Sequence, residues 1–138
     1  AHSDTSPAYL VCDEVYAPAN LLDVEACERL RTRLAREIGA ARQAGCDCVV
    51  KYHPRSQGDF LGAARLGARV LPAAIPVELV FLASRERLRR VIGGRGTTLL
   101  SARWLAPHAQ AVSALELTGV SDPWYARTLE RLGVQRLS

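Results

Sequence analysis

The stretch Asp23–Tyr52, DVEACERLRTRLAREIGAARQAGCDCVVKY, decides the fold class because a helical period gives way to a strand inside it. Val24, Cys27, Leu30, Leu34, Ile38 and Ala41 recur at three- and four-residue steps, the single apolar stripe of a helix running from about Asp23 to Ala44. Asp23 suits the N-cap, Glu25 and Glu28 favour the first turn, and Gly45 suits a left-handed stop. Glu25 and Arg29 make an i,i+4 pair in the favourable orientation. Cys48-Val49-Val50-Lys51-Tyr52 then reads as a buried strand, which His53-Pro54 ends. Proline disfavours helix at the preceding residue, so His53 is expected to be extended at the strand's end.

Working outward, Tyr9-Leu10-Val11-Cys12 is a second apolar run, ending at Asp13-Glu14. Downstream, Asp59–Leu66 reads as a short helix and Ala68–Leu71 as a short strand. Pro76 fits the first turn of a helix with Val77, Val80 and Phe81 on one side. Leu88–Ile92 is a further strand, closed by Gly93-Gly94-Arg95-Gly96, and a short helix starts near Thr97. Ala109–Leu117 reads as the last strand. Asp122 or Ser121 then caps a terminal helix with Pro123 in its first turn and Leu129 and Leu132 facing inward. Strands alternating with helices imply an α/β fold, a Rossmann-like parallel sheet with helices on both faces, formed by residues 1–138 as one domain. Such sheets bind ligands at the carboxyl ends of their strands, near the reversal of strand order.

Composition narrows the function classes. Hydrophobic residues make up 49% of the 138 positions and charged residues 23%, which excludes a disordered tail. No long uncharged apolar run is present, so no membrane span is expected. The formal charge is +4, and Lys51 is the only lysine among 18 basic residues. The arginines are spread along the chain and mostly interleaved with glutamates. With aromatics at only 6%, they read as a solvated surface, with no nucleic-acid partner. Cys12, Cys27, Cys46 and Cys48 read as reduced thiols, and Cys46-Asp47-Cys48 is too isolated for a zinc site, so neither metal nor other cofactor is expected. A cytoplasmic location follows, with the inner face of a bacterial membrane as an alternative. The sequence has no Met, begins at Ala1 and shows no signal-peptide pattern, so it reads as a processed chain or a piece of a two-domain protein.

The candidate chemistry falls at strand ends. Gly93-Gly94-Arg95-Gly96-Thr97-Thr98 joins a strand to a helix, where glycines admit an anion to the backbone amides. Thr97 and Thr98 add hydroxyl donors there. The loop lacks the Lys-Ser/Thr ending of a Walker loop and the glycine spacing of a dinucleotide fingerprint. His53-Pro54-Arg55 offers an imidazole for donation or proton transfer and a guanidinium for a carboxylate or phosphate. Ile75-Pro76-Val77-Glu78 puts a carboxylate in a helix's first turn, able to accept both hydroxyls of a ribose.

In order, Lys-Tyr-His-Pro-Arg (51–55), Ile-Pro-Val-Glu-Leu (75–79) and Val-Ile-Gly-Gly-Arg-Gly-Thr-Thr-Leu-Leu (91–100) resemble the carboxyl-terminal half of bacterial sialyltransferases and polysialyltransferases of the two-domain GT-B fold. The resemblance covers roughly residues 46–102. It implies the donor-binding half of an inverting, metal-independent transferase of a CMP-activated sialic acid in capsule or lipooligosaccharide synthesis. His53 would contact the CMP phosphate and assist its departure; Pro54, Arg55, Gly96, Thr97 and Thr98 would line the phosphate site, and Glu78 would hold the ribose. That family usually has Ser first in the hydroxyl motif, whereas both positions here are Thr. Its general base, in an Asp/Glu-Asp-Gly motif of an amino-terminal domain that also holds the glycan acceptor, is missing from this sequence. The 138 residues on their own are therefore expected not to turn over substrate. A Kdo-type capsule glycosyltransferase, a non-catalytic nucleotide- or phosphate-binding module, and an interaction domain without a ligand are the alternatives.

Overall fold

The computed structural model describes residues 7–13, 24–53, 58–59, 61–94, 98–118 and 122–137. Along them run β1 (Ala8–Asp13), α1 (Val24–Gln43), β2 (Asp47–Tyr52), β3 (Arg69–Val70), α2 (Val77–Ser84), β4 (Leu88–Gly93), α3 (Thr98–Leu105), β5 (Gln110–Ser113), α4 (Pro123–Arg131) and β6 (Gln135–Arg136). The strands form one sheet in the order β3-β2-β1-β4-β5-β6, and every neighbouring pair is parallel. The Rossmann-like α/β architecture expected from the strand–helix alternation is the one observed.

Helix α1 forms where its stripe demands: Ala26, Leu30, Leu34, Ile38 and Ala41 are buried, while Cys27 is only partly so. Its end is a Schellman turn. Gly45 adopts φ 81°, its amide donates to the Arg42 carbonyl, and the Cys46 amide donates to that of Ala41. The chain reverses directly into β2, whose six residues are all buried. Cys48, Val50 and Tyr52 join α1 in one core cluster with Ile92 and Val112, whereas Val49 joins Phe81, Val91, Leu99, Ala102 and Leu129 in the cluster of the opposite face. Helix α1 thus covers one face and α2, α3 and α4 the other. Burial on both faces is why β2 shows no polar alternation.

Polar residues in this sheet are placed with partners. Asp47 is buried at the start of β2 and pairs with Arg69 at 2.5 Å and Arg87 at 3.8 Å, tying β2 to β3 and to the entry of β4. Between β1 and β4, Ala8 lies opposite Leu88 but Tyr9 opposite Arg90, so Arg89 is an extra residue and the strand bulges. The bulge lets Leu88 and Val91 share one core cluster although three positions separate them. Arg90 turns to α1 and meets Glu37 at 3.3 Å. Burial, followed by the neighbouring Asp47 charge, pushes the Cys48 thiol up to about 11, so it behaves as a small core residue.

Three expected elements differ. The Asp59–Leu66 helix shrinks to a 3₁₀ turn at Ala64–Leu66, because Gly62 and Gly67 adopt left-handed φ of 66° and 86°. The strand drawn over Ala109–Leu117 stops at Ser113 and passes into a 3₁₀ turn at Leu115–Thr118, and β6 follows as a last, two-residue strand. Leu132 is 40% exposed rather than inward, because Gly133 at φ 78° reverses the chain and brings Val134 and Leu137 to the core instead. The terminal-helix cap holds: the Asp122 side chain accepts the Tyr125 amide at 3.1 Å, and Pro123 opens α4. Among the described residues no helix is long and apolar enough to cross a membrane.

Ile38 is fully buried between α1 and the sheet. Ile38→Ala is expected to cost about 2–5 kcal/mol, read as a lower urea midpoint with an unchanged m-value.

Candidate functional site

The order of the strands locates the site. Strand order reverses between β1 and β4, and the carboxyl ends of both open on the same edge because the sheet is parallel. In such a sheet the helices leaving the two central strands diverge to opposite faces and leave a crevice between them. The described residues at this edge are the ends of β1, β2, β4 and β5, the start of α3 and the loop leading to α2.

His53 follows the last residue of β2 and is partly buried. Thr98 is the first residue of α3 and is 8% exposed. Glu78 lies exposed in the first turn of α2, behind Pro76, which takes the N-cap position with φ −62° and ψ 138°. The structure therefore brings His53, Thr98 and Glu78 to one edge of the sheet from three different elements. Pro54, Arg55, Gly96 and Thr97 lie outside the described residues. The Gly93 carbonyl at the end of β4 accepts the Ala114 amide at 2.7 Å, and Ser113 Oγ accepts the Leu115 amide at 3.2 Å. The rim beyond β5 is thereby closed by its own turn.

Three residues that sequence reasoning did not single out shape this edge. Tyr52 ends β2, and its hydroxyl donates to Asp59 Oδ1 while accepting the Leu61 amide at 2.9 Å. Asp59 also accepts the Ala63 and Ala64 amides at 2.9 and 3.0 Å. Burial works against the Asp59 charge, but the Tyr52 hydroxyl and then the Ala64 and Ala63 amides outweigh it and hold the carboxyl below the usual range. This lock ties Asp59, Leu61, Ala63 and Ala64 to the end of β2. Lys51, 7% exposed, donates from Nζ to the Ala73 carbonyl at 2.9 Å and to the Tyr52 carbonyl at 3.2 Å. It joins the end of β2 to the loop before α2. The signal for Lys51 was present: a sole lysine inside an apolar strand. For Asp59 no local signal existed, since its partner stands seven residues upstream across a loop.

Among the described residues no group of three His, Cys, Asp or Glu side chains is placed to hold a metal ion. Among the described residues the edge offers a buried ammonium, an imidazole, a hydroxyl at a helix start and the carboxylates of Asp59 and Glu78.

No family profile matches the sequence, and no characterised protein matches it. Solved structures do match its fold. A structure described as MAR1 ribonuclease from Caenorhabditis elegans superposes with a TM-score of 0.55 at 18% identity, over 97% of this chain and 77% of that one. The pyrazinamidase of Pyrococcus horikoshii in complex with zinc matches with a TM-score of 0.55 at 14% identity, over 96% of this chain and 99% of that one. At these identities the likeness is one of fold.

These findings correct the resemblance drawn from the motifs. The whole-chain likeness is to structures named as a ribonuclease and a pyrazinamidase, so the assignments to a sialyltransferase or polysialyltransferase GT-B half, to CMP-sialic acid transfer and to a Kdo-type relative are overturned. The physical reason lies in the motifs themselves. His-Pro follows a strand, Pro-x-Glu opens a helix, and the Gly-rich Thr-Thr segment joins a strand to a helix. Those are places where any doubly wound sheet calls for proline, glycine and hydroxyl residues.

Because the Asp59 carboxyl is lowered, its contribution to stability is present above the unfolded value of about 4 and is lost as pH falls through the lower folded value. The stability gap between the wild type and Asp59→Asn, measured by urea unfolding, is expected to be open at pH 7 and to shrink steadily below about pH 4.

Proposed function

We propose that this chain holds a small anionic molecule, of the phosphate-bearing class, at the carboxyl edge of its sheet where the strand order reverses. The observation that carries the reading is the convergence there of the buried Thr98 at the head of α3, the partly buried His53 at the end of β2 and the buried Lys51 beside it. Helix starts present amides and partial positive charge to an anion, and a hydroxyl in that first turn adds a donor. His53 supplies a further donor. Glu78 accepts hydroxyl donors from the non-phosphate part of the ligand, which makes a nucleotide the favoured form of that class.

Hydrolysis is the second reading, favoured by the ribonuclease and pyrazinamidase names of chains that match nearly the whole of this one in fold. In that case His53 is the described residue at the edge best suited to proton transfer.

Calorimetric titration with inorganic pyrophosphate and with AMP, CMP and UMP tests the first reading. Thr98→Val and His53→Ala are each expected to weaken binding about tenfold to a hundredfold, the loss of a hydrogen bond to a charged group. Glu78→Gln is expected to weaken the nucleotides and spare pyrophosphate. Absence of binding by the wild type, together with turnover of single-stranded RNA or pyrazinamide that His53→Ala abolishes, would replace this reading by the second.

A further inference from the structure

The helical layer of α2, α3 and α4 carries bulky apolar residues on its outer side as well as its inner one. In α2, Val77, Val80 and Phe81 pack into the core, yet Leu79 and Leu82 on the outer side are each 56% exposed. The outward residue of α3 is Trp104, 81% exposed, and Trp124 in the first turn of α4 is 70% exposed. Among the described residues these are the four large hydrophobic side chains more than half exposed, and all four stand on this one layer. Across the sheet, the outer face of α1 is instead Glu25, Glu28, Arg29, Thr32 and Arg36. A helix that is apolar all round belongs in a buried setting, and an exposed apolar patch marks an interaction surface. The two tryptophans alone expose on the order of 300 Å². That is over a third of the ~800 Å² that each partner of a stable complex contributes.

We infer that this outer face is the interface of a two-fold symmetric dimer of the chain. The inference is independent of the anion-site reading, and charge is what selects a second copy as the occupant. Helix α3 is central: α2 packs on one side of it, and on the other Arg103 Nε donates to the Leu132 carbonyl at the end of α4, at 2.9 Å. All three helices return from the carboxyl edge of a parallel sheet, so they run in one direction. A two-fold axis along α3 therefore lays α2 of each copy on α4 of the other, in parallel. Glu86 follows Leu79 by seven residues, and Arg131 follows Trp124 by seven. Arg85 keeps helical angles, φ −48° and ψ −49°, so the turn carries Glu86 on along the spiral of α2. Seven residues are two turns and about 10 Å, which puts both members of each pair on one face. Leu79 then meets the second copy's Trp124 while Glu86 meets its Arg131, and symmetry makes each contact twice. Arg85 and Glu130 stand about a quarter turn off those stripes, on the flanks. Trp104 lies beside the axis, against its own counterpart. An anionic partner, such as a lipid surface or a nucleic acid, would suit Arg131 but oppose Glu86, whereas a second copy uses both signs.

Sedimentation equilibrium of the 138-residue chain, with tryptophan fluorescence over the same concentrations, tests this. A reversible monomer–dimer equilibrium is expected, and tryptophan emission is expected to move to the blue as the dimer forms, because both of the chain's tryptophans leave water. Trp104→Ala is expected to weaken dimerisation at least tenfold while leaving the urea midpoint of the monomer unchanged, since the side chain is exposed there. Glu86→Arg and Arg131→Glu are each expected to weaken it, and the two together to restore it, because the exchange re-forms the pair across the axis. A chain that stays monomeric at every concentration would overturn the inference, and an emission shift of that monomer with anionic vesicles or single-stranded RNA would assign the surface to that partner instead. A dimer that Trp104→Ala leaves unchanged, or a double exchange that fails to restore association, would also overturn it.

Discussion

All six residues of β2 are shut away from water, alternate positions meeting the α1 cluster and the cluster of the opposite face, and the remaining architecture is arranged around that burial. A strand covered on both sides cannot sit at an open edge, so β1 and β3 flank it and crossover connections must return the chain over the sheet each time. Parallel pairing throughout then brings every strand's carboxyl end to one rim. Charged residues in such a strand are costly, and β2 carries two. Asp47 is resolved within the protein by arginines from two other segments, and Lys51 donates to the Tyr52 and Ala73 carbonyls.

Side-chain-to-backbone bonds join loops to the carboxyl end of β2. Tyr52, Asp59, Leu61, Ala63 and Ala64 form a short network that joins the 3₁₀ turn at Ala64–Leu66 to the end of β2. The Lys51–Ala73 bond does the same for the loop into α2. Neither network belongs to a repeating element. Both are side-chain-to-backbone bonds, which fix irregular chain while satisfying amides and carbonyls that no ladder reaches. Two different loops are thereby held against the end of a single strand.

The likeness in fold to a ribonuclease and a pyrazinamidase, at 18% and 14% identity, is what an open parallel sheet with this strand order shares across many chemistries. The same generality explains why ordered motifs at strand ends pointed to glycosyl transfer. A His-Pro stop, a Pro-x-Glu helix start and a Gly-rich turn before a hydroxyl are solutions to backbone problems before they are solutions to catalytic ones. Their order along the chain follows the order of the turns.

Local periodicity carried far in this protein. The stripe through Leu30, Leu34, Ile38 and Ala41, the left-handed stop at Gly45, the apolar run of β2 and the Asp122 cap are each specified within a few residues, so the sequence by itself determined these elements and the α/β alternation. It could not determine the bulge at Arg89, the displacement of Leu132 by Val134, or the locking of Asp59 by Tyr52, since each depends on a partner outside its own periodic segment. Nor could it pair Asp47 with arginines 22 and 40 positions away, or Lys51 with the Ala73 carbonyl 22 positions away. Only the tertiary structure decided that. Burial and charge compensation are properties of what the folded chain brings together, and a sequence window records neither.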